Sequence, residues 1–333
     1  MRNIIILFTF VLLSQEVCAQ LQVLDADEGI KGVCTPGIKN KSRSRGLEIS
    51  FTSIGGGDIN NVEGSNYVPD GIESIQQLNF KLKIPLIYKP GFSLLIGLSH
   101  RPETYFFEDA DLIKASSVFN DVHAGQLKSS GIGAYAIKSI NSSQYTIFRV
   151  KFDYNGDYDQ LINFDRRYRA IGATWAYGYK INEDFEWGFG LTFNSNFRRT
   201  LALPYIFYNR NFSEKWGVEA IFPGYADLRY NIDKKTILMG GYKFNSRNYS
   251  IDLATASNPD TEGIFHLNHS ELQFGLSLER NIAPWVWLNV KGGFQRNFNT
   301  RLEAQSEEFS SYRIKPPHAP YFSLGLFLSP PNK

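Results

Sequence analysis

The segment H-L-N-H-S-E at residues 266–271 holds the best candidates for acid–base or nucleophilic chemistry. A nucleophilic hydroxyl needs a base within hydrogen-bond reach, and that base needs an orienting partner. The segment leads into a run with strand periodicity, where successive side chains point to opposite faces. His266 and His269 then lie on opposite faces, and Ser270 points away from His269. A catalytic triad is awkward here, so no catalytic residue is predicted, and alanine at either histidine is expected to leave activity and stability nearly unchanged.

Candidate sites for metals and phosphates are also weak. A transition metal would need two ligands beyond the histidines, and the sequence offers none at a fitting spacing. Acidic residues of a long loop could attract Ca²⁺, but their spacing matches no calcium loop, which favours a solvated acidic loop. They are Glu103, Glu108, Asp109, Asp111 and Asp121. The glycines at 55–57 and at 131 and 133 do not join a strand to a helix, as a phosphate-binding loop requires. We predict neither a metal nor a cofactor.

Strands must position any site in this chain, because alternation with a period of two dominates it. The stretch 186–194, E-W-G-F-G-L-T-F-N, places Trp, Phe, Leu and Phe on one face and Gly, Gly, Thr and Asn on the other. About fifteen such runs follow one another from residue 46 to residue 328 without a helix-period segment between them. In a soluble sandwich the polar face meets water and carries few glycines. In a barrel within a membrane the bulky face meets lipid and glycine is tolerated inside.

Composition and the N-terminus indicate export. Residues 1–19 combine Arg2, an apolar core from Ile4 to Leu13 and small residues before Gln20, which predicts a signal peptide cut after Ala19. The totals of 35 basic and 33 acidic residues leave a net charge of +2, which argues against a nucleic-acid partner. Aromatic residues make up 15% of the chain, as is typical of outer-membrane barrels.

The lengths of the connections set the expected strand count. Long segments near 55–74, 102–126 and 155–167 alternate with tight turns near 88–91, 140–142 and 180–183, as in barrels with short periplasmic turns and long external loops. This alternation of long and short connections continues along the whole chain if residues 215–231 form one strand bent at Pro223. The prediction is therefore an all-β, transmembrane, antiparallel up-and-down barrel of about fourteen strands. Twelve is the fallback count, because the runs at 200–210 and 247–254 could be loop.

The polar face of the strands provides the candidate binding residues. Charges of both signs lie on it, so they must pair or stay hydrated, and the lumen is either plugged by salt bridges or open to water. The lumen-lining candidates are Lys81, Lys83, Arg149, Lys151, Asp153, Asp227, Arg229, Glu271, Gln273, Glu279, Asn289 and Lys291. Arg149 and Lys151, two residues apart, predict a locally positive stretch that attracts anions. The basic cluster K-N-K-S-R-S-R at 39–45 is interpreted as a solvated arm, or as a group that touches lipid phosphates.

The chain resembles a domain-of-unknown-function family of outer-membrane β-barrel proteins from Gram-negative bacteria. The resemblance covers about 46–329 and rests on the signal peptide, the glycine–aromatic strands and the segment G-V-E-A-I-F-P followed by L-R-Y-N-I. It implies no catalytic residues. It also implies a C-terminal aromatic signal for the barrel assembly machinery. Here the last strand, Y-F-S-L-G-L-F-L, is followed by S-P-P-N-K.

Together these patterns divide the chain into a signal peptide (1–19), a periplasmic arm (20–45), an outer-membrane barrel (46–329) and a short tail (330–333). The expected partners are outer-membrane lipid, the assembly machinery and small solutes. The expected function is a narrow channel or binding barrel for those solutes. Two alternatives stay open: a barrel enzyme acting on lipid or peptide, and a structural or adhesive barrel.

Overall fold

The computed structural model describes residues 33–58, 60–63, 71–108, 126–196, 200–252, 264–298, 300–304, 312–315 and 317–330. The predicted signal peptide, the acidic residues Asp109, Asp111 and Asp121, and the last three residues lie outside these ranges. No helix within them is long and apolar enough to cross a membrane.

The described chain is almost entirely strand, with one 3₁₀ turn at Arg166–Tyr168. The strands are β1 (Leu47–Asp58), β2 (Asn60–Glu63), β3 (Gly71–Lys89), β4 (Phe92–Phe107), β5 (Leu127–Ser139), β6 (Gln144–Gly156), β7 (Arg169–Asn182), β8 (Phe185–Ser195), β9 (Thr200–Asn211), β10 (Trp216–Phe222), β11 (Tyr225–Asp233), β12 (Thr236–Asp252), β13 (Ile264–Ala283), β14 (Val286–Asn297), β15 (Thr300–Ala304), β16 (Tyr312–Lys315) and β17 (Ala319–Leu328).

These strands form a closed antiparallel barrel of 14 strands, as the sequence predicts. Each barrel strand pairs with its neighbours in the chain, and β1 closes the ring by pairing with both β3 and β17. The short strands β2, β15 and β16 extend the sheet beyond one rim. Closure gives every barrel strand a ladder on both sides, although β9 and β12 extend beyond the short strands β10 and β11 at one end.

The structure reaches fourteen strands by dividing residues 215–254 differently from the sequence prediction. Residues 215–231 are not one bent strand, since β10 and β11 pair antiparallel across a two-residue turn at Pro223 and Gly224. The runs 235–244 and 247–254 belong instead to a single strand, β12, which pairs with β13 along its whole length. The run at 200–210 is β9. The fallback of twelve strands is therefore wrong, and the loop phase is kept because the two errors cancel.

The bulky face of the strands forms the outer surface of the barrel. Every one of the barrel strands presents at least one large exposed apolar side chain there. In strand order, examples are Phe51, Leu78, Leu98, Ile132, Phe148, Trp175, Phe189, Ile206, Phe222, Leu228, Phe244, Leu276, Phe294 and Leu324. Outer-membrane barrels present an apolar band of this kind to the surrounding lipid.

The glycines of 186–194 face the interior, where aromatic rings of β9 cover them. A Cβ at Gly188 would lie 2.4 Å from the Phe207 ring, and a Cβ at Gly190 would lie 2.4 Å from the Tyr205 ring. On β7, Gly178 leaves the same space for Tyr145. Any side chain here would clash with the ring, so the glycines allow aromatic residues to lie flat against the wall and fill this part of the interior.

The two ends of the barrel differ. At the turn end lie the six short turns, from residues 90–91 to residues 284–285, together with residue 46 and the end of β17. At the loop end lie the longer connections, the four-residue connection at 196–199 and the β10–β11 turn. The wall is low at this turn, because β10 and β11 have 7 and 9 residues whereas β12 has 17.

Candidate functional site in the barrel interior

The described part of the predicted periplasmic arm begins at residue 33. Residues 33–46, called the arm from here on, lie across the turn end of the interior. The backbone N–H of Cys34 donates to Ser139 Oγ of β5 at 2.7 Å, and the N–H of Lys39 donates to the Glu183 carbonyl at 2.8 Å. Cys34 packs with Tyr145 and Phe207 in a buried cluster. Burial raises the pKa of the Cys34 thiol, so little reactive thiolate forms at neutral pH. The arm therefore fills the turn end of the barrel.

Three buried glutamates on separate strands hold the arm. Glu186 of β8 accepts the N–H of Gly37 at 2.6 Å and lies 3.5 Å from the Lys41 ammonium. Glu219 of β10 accepts both the N–H and the hydroxyl of Ser42, at 2.8 and 2.6 Å. Each carboxylate satisfies a backbone or charged group that would otherwise be buried unpaired.

The third glutamate, Glu279 of β13, binds Arg45. The Arg45 guanidinium lies 2.5 Å from Glu279 and 2.7 Å from Glu48, and it stacks 4.6 Å from the centre of the Phe327 ring. Arg43 stacks similarly over Trp287 at 5.1 Å. The basic cluster at 39–45 is therefore neither a solvated arm nor a lipid contact within the described residues. Three of its four charges, those of Lys41, Arg43 and Arg45, dock the arm inside the barrel, whereas the Lys39 side chain is exposed.

The predicted lumen-lining residues all lie on the inward parity of their strands, and most of them are paired. Lys81 lies 3.8 Å from Glu48, Lys151 lies 2.6 Å from Asp153, and Arg229 lies 2.8 Å from Glu219. Gln273 donates to Gln295, and Asn289 donates to Ser277, each at 2.9 Å. Glu271 and Glu279 are paired with arginines. Asp227 lies across the ladder from Glu219.

Five inward cations have no carboxylate within ion-pair distance among the described residues: Lys83, Arg101, Arg149, Lys243 and Lys291. The Arg149 guanidinium and the Lys83 ammonium both lie over the Tyr135 ring, at 5.0 and 5.7 Å. The buried Arg149 Nε has no hydrogen-bond partner. The positive stretch therefore exists, but Arg149 and Lys83 form it, because Asp153 neutralises Lys151. Sequence reasoning missed this pair, since it depends on the register of three strands.

A buried ion-pair network joins opposite walls near the loop end. Arg247 of β12 lies 3.1 Å from Glu103 of β4 and 2.5 Å from Glu271 of β13. Tyr249 also donates to Glu103, at 3.2 Å, and Tyr105 donates to the same carboxylate. Glu103 was expected in a solvated acidic loop, but it is a strand residue with no exposed surface.

This network divides the loop-end half of the interior into two compartments. β4 and β12 are not neighbours in the barrel, yet their side chains meet, and Ser250 of β12 pairs directly with Gly156 of β6. One compartment is bounded by β13, β14, β17, β1 and β3 to β5, and the other is bounded by β7 to β11. The barrel is therefore not a simple axial pore over its described length.

His269 belongs to the same network. Its Nε2 lies 3.1 Å from Glu271, and its Nδ1 lies 2.7 Å from Thr300 Oγ1. This chain of hydroxyl, imidazole and carboxylate has the order of a hydrolytic triad, but all three side chains are buried and Glu271 is already bound by Arg247. No substrate could reach Thr300, so the arrangement is structural. Ser270 points to the opposite face, as the sequence predicts, and donates to Ser246 at 3.2 Å.

These partners change what we expect for His269. We expect His269→Ala to lower the free energy of unfolding by about 1–3 kcal/mol, because it leaves Thr300 and Glu271 short of a buried partner. Urea unfolding in detergent micelles measures this. Ser270→Ala is the matched control, with an expected effect within about 0.5 kcal/mol. Equal stability of the two variants would contradict the structural role.

A second imidazole–hydroxyl pair lies on the outer face at His100 and Ser130. His100 Nδ1 lies 2.8 Å from Ser130 Oγ. The same Oγ donates to the Leu161 carbonyl at 2.6 Å and accepts the Tyr158 hydroxyl at 3.0 Å. Its only proton is therefore directed away from His100, which must itself act as the donor. A base cannot activate the serine in this arrangement, so the pair anchors the segment at 157–168.

The sequence matches the family described as "Domain of unknown function (DUF6268)" over residues 114–329. The chain belongs to this family. No curated protein matches it.

The chain is also similar to solved structures of outer-membrane barrels. One is a FadL homologue of Pseudomonas aeruginosa, at 10% identity and a TM-score of 0.34, with 85% of this chain and 89% of the other covered. A second is the toluene transporter TodX of P. putida, at 7% identity and 0.32, again with 85% and 89% covered. A third is a porin of Rhodopseudomonas blastica, at 9% identity and 0.27, with 85% and 99% covered. These likenesses are too loose to transfer a substrate to the DUF6268 barrel.

Proposed function

We propose that this DUF6268 protein is an outer-membrane barrel whose interior binds small anionic solutes and lets them pass. The observation that carries the proposal is the group of inward cations with no carboxylate within ion-pair distance among the described residues, Lys83, Arg101, Arg149, Lys243 and Lys291. Cations gathered in a confined interior repel one another, and a bound anion relieves this repulsion. Paired charges would leave the interior with no preference for either sign.

The apolar band supports placement in the outer membrane. A belt of exposed large apolar side chains around the whole barrel is costly in water and favourable in lipid. Short turns at one end and long loops at the other match the arrangement in which the turn end, with the arm, faces the periplasm. The alternative of an enzyme gains no support from the two histidine pairs described above.

Ion selectivity tests the proposal. In planar bilayers we expect small conductance with a modest anion preference, and a several-fold fall in the anion-to-cation permeability ratio for Lys83→Glu combined with Arg149→Glu. The shift should be larger at low salt, because screening shortens the reach of the charges. The control is Arg210→Glu with Arg280→Glu, which makes the same change in net charge at exposed side chains.

Two results would count against the proposal. If the interior variant keeps the wild-type selectivity, the unpaired cations do not control passage. If folded wild-type protein gives neither conductance nor anion flux into liposomes, the barrel is closed to solutes and an adhesive or structural role takes precedence.

A further inference from the structure

We propose that the interior surface from β6 to β9 binds a single-chain amphiphile with an anionic head, and that the chain enters sideways through a gap in the barrel wall. This inference rests on the proposed function and narrows its solute class. The gap lies above the β10–β11 turn, and the binding surface runs from Arg149 on β6 to Leu203 on β9.

The gap follows from strand lengths and register. β9 has 12 residues, but its ladder with the 7-residue β10 ends where Ile206 meets Phe222. Residues 200–205 of β9 therefore have no partner on that side within the described parts of the chain. Their outward side chains include Ala202 and Pro204, which continue the apolar band. β10 has 7 residues, fewer than the roughly 9–11 that a strand needs to cross the hydrocarbon core, so the unpaired stretch of β9 begins within that core and leaves the wall open there.

The apolar end of the surface lies beside this gap. Leu201 and Leu203 have the inward parity of Phe207, yet they are 41% and 43% exposed, whereas Phe207 is 7% exposed. Small or polar groups lie next to them across the ladder: Asn194 pairs with Leu201, and Thr192 pairs with Leu203. Inward leucines left open to this extent form an apolar surface that a ligand chain can cover.

The cationic end of the surface lies in the same row of residues. Register aligns Arg149 with Thr174, Thr174 with Thr192, and Thr192 with Leu203. Three interstrand steps of about 4.8 Å place the backbones of Arg149 and Leu203 about 14 Å apart. The hydroxyls of Thr174 and Thr192 hydrogen-bond to each other at 2.7 Å, so a ligand that covers this part of the surface does not have to supply a hydrogen-bond partner for them.

This combination selects an anionic amphiphile over simpler ligands. An inorganic anion would use Arg149 and Lys83 but leave the leucines exposed to water. A neutral hydrocarbon would cover the leucines but leave the cations without a counter-charge. A carboxylate or phosphate head with an alkyl chain satisfies both ends, and chain length becomes the property that distinguishes it.

Binding of acetate, octanoate and dodecanoate to the purified, folded protein in non-ionic micelles tests the inference. We expect affinity to rise at least about tenfold from octanoate to dodecanoate, because each buried methylene adds to binding. Leu201→Ser combined with Leu203→Ser should abolish this rise. The outward Leu191→Ser, next to Pro204 across the ladder, is the matched control and should keep it. Arg149→Gln should weaken dodecanoate about tenfold while leaving dodecanol unchanged.

The outcomes separate this inference from the proposed function. If selectivity behaves as expected but affinity does not depend on chain length, the amphiphile site is wrong and the anion-passing barrel stands. If the chain-length dependence survives in the double serine variant, the chain binds elsewhere. If Pro204→Cys in a Cys34→Ser background, modified with a bulky maleimide, binds dodecanoate as fast as the unmodified variant, entry through the gap is wrong.

Discussion

Deletion of residues 34–44 is expected to raise ion flux through the barrel several-fold in liposomes and planar bilayers. These residues cross the turn end and are held by Glu186 and Glu219 through the contacts of Gly37 and Ser42. Their removal takes away the segment that fills this end and leaves two carboxylates facing water. The strands themselves keep every ladder partner, because the deletion ends before β1, so the barrel should still form.

A reversible lock provides the control for this deletion. The backbone N–H of Cys34 donates to Ser139 Oγ at 2.7 Å, so Ser139→Cys places a second thiol beside the Cys34 backbone, and we expect the two thiols to form a disulfide on oxidation. Oxidation of the two thiols to a disulfide should keep the ion flux at or below the wild-type level, and reduction of the disulfide should return the flux to the wild-type level. Since Cys34 is buried and the pKa of its thiol is raised, slow labelling of Cys34 reports a docked arm. Unchanged flux in both the deletion and the locked variant would make the arm a structural filler and not a barrier.

Arg247→Ala is expected to destabilise the barrel by about 3–5 kcal/mol in urea titrations. The change leaves Glu103 and Glu271 buried without the cation that both of them share, and an uncompensated buried charge is costly. The matched control is Arg280→Ala, which breaks an exposed pair with Asp233 at 3.5 Å and should cost less than about 1 kcal/mol.

Neutralising the two glutamates tests the cause of this loss. Glu103→Gln and Glu271→Gln added to Arg247→Ala should recover part of the stability, because no buried charge then remains unpaired. A triple variant no more stable than Arg247→Ala would show that lost packing, and not unpaired charge, governs the effect.

Local patterns determined the class of this protein. The alternation in 186–194 is set by neighbours along the chain, so it predicts a strand with one apolar face wherever the strand lies. Repeated over the whole chain, it predicts a membrane-type barrel with bulky residues such as Phe189 outside and glycines such as Gly188 inside. The inward parity of Arg149 and Glu271 followed in the same way. The strand count was correct, but Pro223 and Gly224 suit a bend as well as a hairpin, and only the ladder between β10 and β11 distinguishes them.

Only the tertiary structure decided which groups meet. Arg247 and Glu103 are 144 residues apart, and they pair because opposite walls of the barrel touch at one level. Lys83 and Arg149 share the Tyr135 ring because register brings β3, β5 and β6 into line. The cluster at 39–45 is interpreted from the sequence as a solvated arm because the partners of Lys41, Ser42 and Arg45, which are Glu186, Glu219 and Glu279, lie on three distant strands. Periodicity specifies the face on which a side chain lies, whereas its partner depends on register, strand length and barrel closure, which are properties of the whole chain.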